Sequence, residues 1–137
     1  MSIKNVYDVA ARAMSAQIVR MNAIASNLAN ANNVSGNKEE VFKPLRPVFK
    51  TIYADQLKQT GLSTVDAIRV ETLNREPIKT YQPNHPAADE EGYIFKAAVD
   101  MDEEMVEMLE TQRQYTNNIE VLNTIRNLNM RTLNIGK

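Results

Sequence analysis

Residues 3–28 read IKNVYDVAARAMSAQIVRMNAIASNL. Within this run Ile3, Tyr7, Ala10, Met14, Gln17, Met21, Ile24 and Leu28 are spaced alternately by four and three, a seam of heptad period interrupted only by Gln17. Val6, Val9, Ala13 and Ile18 widen the stripe beyond the narrow seam of a two-stranded coil. The run holds no proline or glycine, and Ser2 is suited to cap its start. The spacing predicts one long helix. The cluster Asn30, Asn32, Asn33, Ser35 and Gly36 predicts its end within 30–36.

The last third repeats this character. Met101, Met105, Met108, Gln112, Tyr115, Ile119 and Leu122 follow the same alternation, and Ile125, Leu128, Thr132 and Ile135 continue it one position out of phase. Such a shift resembles a three-residue insertion in a heptad. Asp100 with Glu103 three residues later suggests an acidic capping box. Asp102, Glu103, Glu104 and Glu107 load the first turns, while Arg126, Arg131 and Lys137 lie near the other end, both in the sense that complements a helix dipole.

Between these helices the texture changes. All five prolines (Pro44, Pro47, Pro77, Pro83 and Pro86) lie in residues 38–99. Val41-Phe42, Val48–Tyr53, Ala67–Leu73, Ile78–Tyr81 and Tyr93–Phe95 are short β-leaning stretches bounded by turn formers. Gln82 to Pro86 reads as a loop, and Glu91-Gly92 as a turn. The expected fold is therefore mainly α: two long terminal helices forming an antiparallel, coiled-coil-like pair, with a small β-rich or extended central region. Residues 1–36 and 100–137 would make a discontinuous helical domain and 37–99 the insertion. Stripes this wide must be covered, by the middle of the chain or by other copies of it.

Composition narrows the possible activities. The chain has 137 residues, 16 basic and 17 acidic, for a formal charge of -1. It lacks the basic field that a general nucleic-acid binder needs. With no cysteine there are no disulfides, thiolate metal sites or thiol nucleophiles, a composition that suits an oxidising compartment. One histidine, His85, rules out a multi-histidine metal site within the chain. Aromatic residues are 6% and tryptophan is absent, so base-stacking platforms are not expected. No continuous apolar run is long enough to cross a membrane, nor does the N-terminal stretch resemble a cleaved leader.

The remaining candidates for chemistry have simpler readings. Asp89, Glu90 and Glu91 fall beside a turn, and Asp102 to Glu104 in a helix's first turn, where solvated charge is the expectation. His85, between Asn84 and Pro86, reads as a loop residue. The glycines are isolated, so no phosphate-binding loop is present. The methionines on the two stripes read as adaptable packing rather than as metal ligands. Asparagine is more telling: Asn22, Asn27, Asn30, Asn117, Asn118, Asn123, Asn127 and Asn129 sit where helix is expected but lower its propensity. Amides at such positions can fix register and partner across a helix interface.

Ala25-Ser26-Asn27-Leu28-Ala29-Asn30-Ala31-Asn32-Asn33 resembles the N-terminal signature of the bacterial flagellar axial proteins, the rod, hook and hook-associated subunits. Gln114-Tyr115-Thr116-Asn117-Asn118-Ile119-Glu120-Val121-Leu122-Asn123-Thr124 is similar to their C-terminal motif, as is the ending from Thr132 to Lys137. Three features resemble the short proximal rod members: the chain length, the segment Val34 to Lys43 after the Asn motif, and Tyr81 to Asp89 leading to Gly92-Tyr93. Lys96-Ala97-Ala98-Val99-Asp100 departs from the resembling pattern, which has Pro-Asn before Val-Asp.

The resemblance implies a structural role with no catalysis and no cofactor. Subunits of this kind would be exported unfolded by the flagellar type III apparatus, without a cleaved signal peptide. They would assemble helically into the periplasmic drive shaft, which transmits torque and encloses the export channel. Implied partners are copies of the chain itself, the rod proteins FlgB, FlgF and FlgG, and the adaptor FliE. Stripe and motif together nominate Ile3, Tyr7, Met14, Met21, Ile24, Asn27, Leu28 and Asn30 on the first helix as assembly residues. On the second they nominate Met105, Met108, Tyr115, Asn118, Ile119, Leu122, Asn123, Ile125 and Leu133. The competing expectation is a coiled-coil adaptor that binds one helical partner. Leu28→Asp would bury an uncompensated charge in the first seam, and motility of cells relying on that variant is expected to be lost. Normal swimming would remove Leu28 from any assembly surface.

Overall fold

The computed structural model describes the backbone of residues 3–52 and 64–135 and the side chains of residues 5–50 and 69–132. Ser2 and Tyr53, and the side chains of Ile3 and Leu133, lie outside the described residues. Along the chain run α1 (Ile3–Asn30), β1 (Val34–Ser35), β2 (Leu45–Ile52), β3 (Thr64–Thr72), β4 (Ile78–Tyr81), β5 (Tyr93–Lys96) and α2 (Met101–Ile135). Two long helices thus enclose a small antiparallel β region. β1, β5 and β4 form one sheet in that order, and β2 with β3 forms a hairpin whose register slips between Val48 and Phe49.

α1 follows its predicted seam only in part, since the buried Ala16, Ala23 and Asn27 lie beside it. The seam positions Tyr7, Ala10, Met14, Gln17, Met21, Ile24 and Leu28 are all buried or half-buried. Asp8, Ala11, Ser15, Ile18, Asn22, Ala25 and Ala29, each one position after a seam residue and so about 100° around the helix, are exposed, which takes Ile18 out of the widened stripe expected for it. The helix ends at Asn30, whose Nδ2 donates to the Ser26 carbonyl at 2.9 Å.

α2 corrects its pattern. Met101, Met105, Gln112 and Ile119, expected on the packing seam, are exposed, and so is Asn123. The positions turned inward are Glu104, Met108, Thr111, Tyr115, Asn118, Leu122, Ile125 and Asn129, every one buried or half-buried. These eight alternate four and three without interruption, so the phase shift read from the sequence is absent. The reason is chemical. The inward line carries Glu104, Thr111, Asn118 and Asn129, and a search for apolar letters slides off it onto the exposed methionines next door. At the N-terminus Asp100 does cap the helix, its Oδ1 accepting from the amides of Asp102 (2.9 Å) and Glu103 (3.1 Å). Glu103, however, directs its carboxylate to Arg46 and Arg75 rather than back into a capping box.

The helices lie antiparallel, because cross-helix contacts advance along one as they retreat along the other. Gln17 Nε2 donates to Gln114 Oε1 (2.8 Å), Arg20 pairs with Glu107 (3.4 Å), and Asn27 Nδ2 donates to Glu104 Oε1 (3.0 Å). The buried apolar residues of α1 are small, Ala10, Ala16 and Ala23, with Ile24 the one bulky exception; Ala31 just beyond its end is buried too, and α2 buries Thr111 and Glu104. Short side chains set a close interaxial distance, but each removes little apolar area from water.

The β region fastens the two helix ends together. β1 pairs with β5 directly after α1, and the Ala97 amide donates to the Asn33 carbonyl at 3.0 Å just before α2. Ala97 is completely buried, and a proline there would forfeit that bond. Val41, expected in a strand, is buried within an irregular segment instead. In the turn before β5, Asp89 Oδ1 accepts from the amides of Glu91 (3.0 Å) and Tyr93 (2.7 Å), while the Gly92 amide donates to the Asp89 carbonyl (3.0 Å).

Gly92 has φ +84°, and a Cβ there would lie 3.0 Å from both the Tyr81 ring and the Pro83 side chain. Gly92→Ala therefore combines left-handed strain with a clash. It is expected to destabilise the fold by about 1–3 kcal/mol, read as a lower urea midpoint with an unchanged slope. An unaltered midpoint would show that the turn relaxes freely.

Candidate assembly site

The largest fully buried side chain of the protein's described residues is polar. Asn27, 1% exposed, comes from the last turns of α1, inside the Ala-Ser-Asn-Leu-Ala-Asn motif. Its Oδ1 accepts from the Leu45 amide (2.7 Å) and its Nδ2 donates both to the Leu45 carbonyl (3.0 Å) and to Glu104 Oε1 (3.0 Å). The amide side chain thus pairs with both backbone groups of one residue, as a neighbouring strand would. Three of its four hydrogen-bonding sites are thereby used. Leu45 follows the fully buried Pro44, whose carbonyl accepts from the Leu73 amide at 2.7 Å. One asparagine therefore joins α1, the first residue of β2 and α2.

Around this clamp lies a ring of charge. Arg46, next to Leu45, pairs with Glu107 and with Glu103 (3.4 Å). Arg20 of α1 approaches Glu107 from the other side (3.4 Å), and Arg75 reaches Glu103 (3.6 Å). Burial lifts the Glu104 carboxyl above the ordinary glutamate range, offset only partly by the Asn27 hydrogen bond and the Arg46 charge. Burial also pushes on Glu107, but there the Arg46 hydrogen bond, with the charges of Arg46 and Arg20, outweighs it and holds the carboxyl below that range. The Glu107 hydrogen bond in turn raises the Arg46 guanidinium.

The nominated residues separate into groups. Ile24 and Asn27 are buried, whereas Tyr7, Met14, Met21, Leu28 and Asn30 are half-buried. On α2, Met108, Tyr115, Asn118, Leu122 and Ile125 are half-buried on the inward line, while Met105, Ile119 and Asn123 face outward. Sequence reasoning missed Glu104, Thr111, Arg46 and the Leu45 backbone. Glu104 could have been found as the charge sitting on an otherwise regular alternation through Met108, Tyr115 and Leu122. Two of the groups considered for chemistry are engaged in loop structure, and Glu90, Glu91 and Asp102 are exposed. Asp89 holds its turn, and His85 Nδ1 accepts from the Ala87 amide at 3.1 Å. Among the described residues no group of three or more acidic or histidine side chains could hold a metal ion, and no helix is long and apolar enough to cross a membrane.

Family models match at both ends of the chain. Residues 8–38 match the "Flagella basal body rod protein" family, and residues 90–135 match the "Flagellar basal body rod FlgEFG protein C-terminal" family. The two matched segments hold the helices and the strands that join them. The chain is also 36% identical to the flagellar basal-body rod protein FlgC of Salmonella typhimurium over 138 aligned residues, covering 100% of both chains. Identity is 36% to FlgC of Yersinia enterocolitica and 34% to FlgC of Escherichia coli O157:H7, again over the whole of each chain. The chain belongs to the FlgC family. FlgC is a structural component of the flagellar basal-body rod and not an enzyme, as the scarcity of catalytic constellations led the sequence to suggest.

Two substitutions probe the clamp. Asn27→Ala strands Glu104 and the Leu45 backbone groups and is expected to cost about 1–3 kcal/mol or more in urea denaturation. A loss below 0.5 kcal/mol, roughly the scale of a surface change, would make the clamp incidental. Glu104→Gln keeps the acceptor for Asn27 but cannot ionise. Because the folded Glu104 carboxyl titrates above its unfolded value, its ionisation destabilises the native state as pH rises through that window. The stability of Glu104→Gln relative to the parent should therefore increase from pH 4 to pH 7. Glu107 acts in the opposite sense, its contribution being lost as pH falls through its depressed folded value. A parallel pair of pH profiles would remove Glu104 as a source of the dependence.

Proposed function

We propose that this chain is a repeating, load-bearing unit of the proximal rod, with its terminal helices packed in a coiled-coil-like manner in the inner wall of the shaft. The observation that carries the reading is the apolar surface of α2. Met105, Val106, Leu109, Leu128 and Met130 are each more than half exposed. The accessible surface of the chain is 9719 Å², against roughly 7200 Å² expected for a compact monomer of its mass. Large side chains at the surface of a long helix mark a surface that another protein covers. Heterologous contacts that do not close generate a helical array. Stiff packed helices then transmit torque without any chemistry.

In this reading residues 1–36 and 100–137 act as the inner helical domain, and residues 37–99 as the part anchored to it through Leu45, Arg46 and β5. The rod stands in the periplasm and encloses the channel into which the type III apparatus exports subunits. Neighbours are further copies of the chain, the rod proteins FlgB, FlgF and FlgG, and the adaptor FliE. The unassembled chain would travel unfolded, which fits a fold whose own core is mostly alanine.

Basal bodies purified from cells expressing a tagged copy should contain the chain in several equivalent positions along a helical lattice. Imaging at a resolution that separates subunits tests this directly. A single copy held in a closed one-to-one complex with one helical partner would instead support the adaptor reading.

A further inference from the structure

Three carboxylates near the start of α2 are served unequally. Glu103 pairs with Arg46 (3.4 Å) and Arg75 (3.6 Å), and Glu107 pairs with Arg46 and with Arg20 (3.4 Å). Glu104 is the most buried of the three, at 4% exposure, yet among the described residues it has no cation within ion-pair distance. Its Oε1 accepts from Asn27, while its Oε2 accepts no hydrogen bond from a described residue. That second oxygen is not sealed in. Among the described residues the one buried side-chain polar atom without a partner is Gln17 Oε1. Glu104 lines a cavity of about 280 Å³ between α1, β2 and α2, and Oε2 opens into it. Ile24, Leu45, Pro47 and Phe49 give this cavity apolar walls, and the exposed Phe49 brings part of the wall to the surface.

We propose that this cavity receives a lysine side chain from a neighbouring rod subunit, its ammonium seated against Glu104 Oε2. The proposal rests on the rod reading above and names one contact within it. Charge selects a cation. The charged groups that act on Glu104 are Arg46 against Glu107 and Glu103, so one positive group stands beside three negative ones, Glu104 included. The cavity's own arginines do not invite an anion, because Arg46 is bonded to Glu107 and Glu103 and Arg20 to Glu107. Glu104 is already out of water, so only the incoming charge remains to be desolvated when the pair forms.

Geometry selects lysine over arginine. A guanidinium gains most from two parallel bonds to both oxygens of a carboxylate, and here Asn27 holds Oε1. An ammonium is a point charge that needs one oxygen, and its four-carbon stem lies readily along apolar walls.

Imaging of purified basal bodies at a resolution that shows side chains tests the contact. The cavity of each copy should hold a lysine from an adjacent subunit, with Nζ within about 4 Å of Glu104 Oε2. In parallel, Glu104→Gln must keep its amide oxygen toward Asn27 and so presents N–H groups, not an acceptor, to the cavity. This variant should be recovered in basal bodies at several-fold lower amount than the parent, while the urea midpoint of the purified chain at pH 7 is not lowered. Should the midpoint fall, the occupant of the cavity in the parent decides alone. A cavity that is empty or filled by any other side chain, or equal recovery of Glu104→Gln, overturns the contact and leaves the rod reading intact. Absence of the parent chain from the rod lattice overturns the rod reading itself.

Discussion

Asn27 is the residue on which the arrangement of the chain turns. Two helices with alanine between them can slide, because small side chains interlock weakly and neighbouring registers offer similar apolar contact. A buried amide cannot slide. Shifted by one turn, its donors and acceptor would face apolar surface, at the full cost of desolvation. By engaging Leu45 on both backbone groups and Glu104 on its carboxylate, Asn27 fixes the axial position of α2 and the starting point of β2 together. Polar groups in helix seams are known to trade some stability for a unique register.

The charged ring around the clamp follows from that choice. Glu104 is drawn out of water by its bond to Asn27, and its neighbours Glu103 and Glu107 would add to the local negative field. Arg46, placed by the same β2 start that Asn27 holds, brings a guanidinium against two of the three carboxylates. Arg20 contributes from α1. Partly exposed pairs of this sort contribute little individually, but here they offset a repulsion that the buried carboxylate would otherwise impose. Their positions tie three elements to one small volume, so the hairpin inherits the orientation of the helices.

Much of the architecture was legible because it depends on letters that repeat. The α1 seam, the stop at Asn30, the Asp100 cap and four of the five β-leaning stretches each rest on local pattern or turn chemistry, and each is present. The misreading of α2 has a single cause. Its inward line alternates apolar residues with Glu104, Thr111, Asn118 and Asn129; the partner that accommodates Glu104 lies 77 residues away on Asn27, while Thr111 donates to the Glu107 carbonyl one turn back. Val41 failed differently: it is buried without pairing in a sheet, and an apolar letter does not distinguish the two. Asn27 was legible as an unusual amide, but its two hydrogen bonds to the Leu45 backbone were not, since nothing in a sequence marks which backbone an amide will meet.

A chain that places alanine inside and methionine, leucine and isoleucine outside inverts the usual distribution of bulk. Ala16 and Ala23 are buried while Leu109 and Met105 are exposed, on helices that pack against one another. For a monomer this is poor economy of apolar area, since the larger side chains are the ones that gain most from leaving water. The inversion becomes reasonable when the helix pair is the inner layer of a larger structure. Alanine then permits the two helices of one subunit to lie close and act as one slender unit, and bulk is reserved for the surface between units. Specificity and strength are thereby separated: a polar clamp determines how one chain folds, and apolar bulk is left to determine how strongly chains adhere.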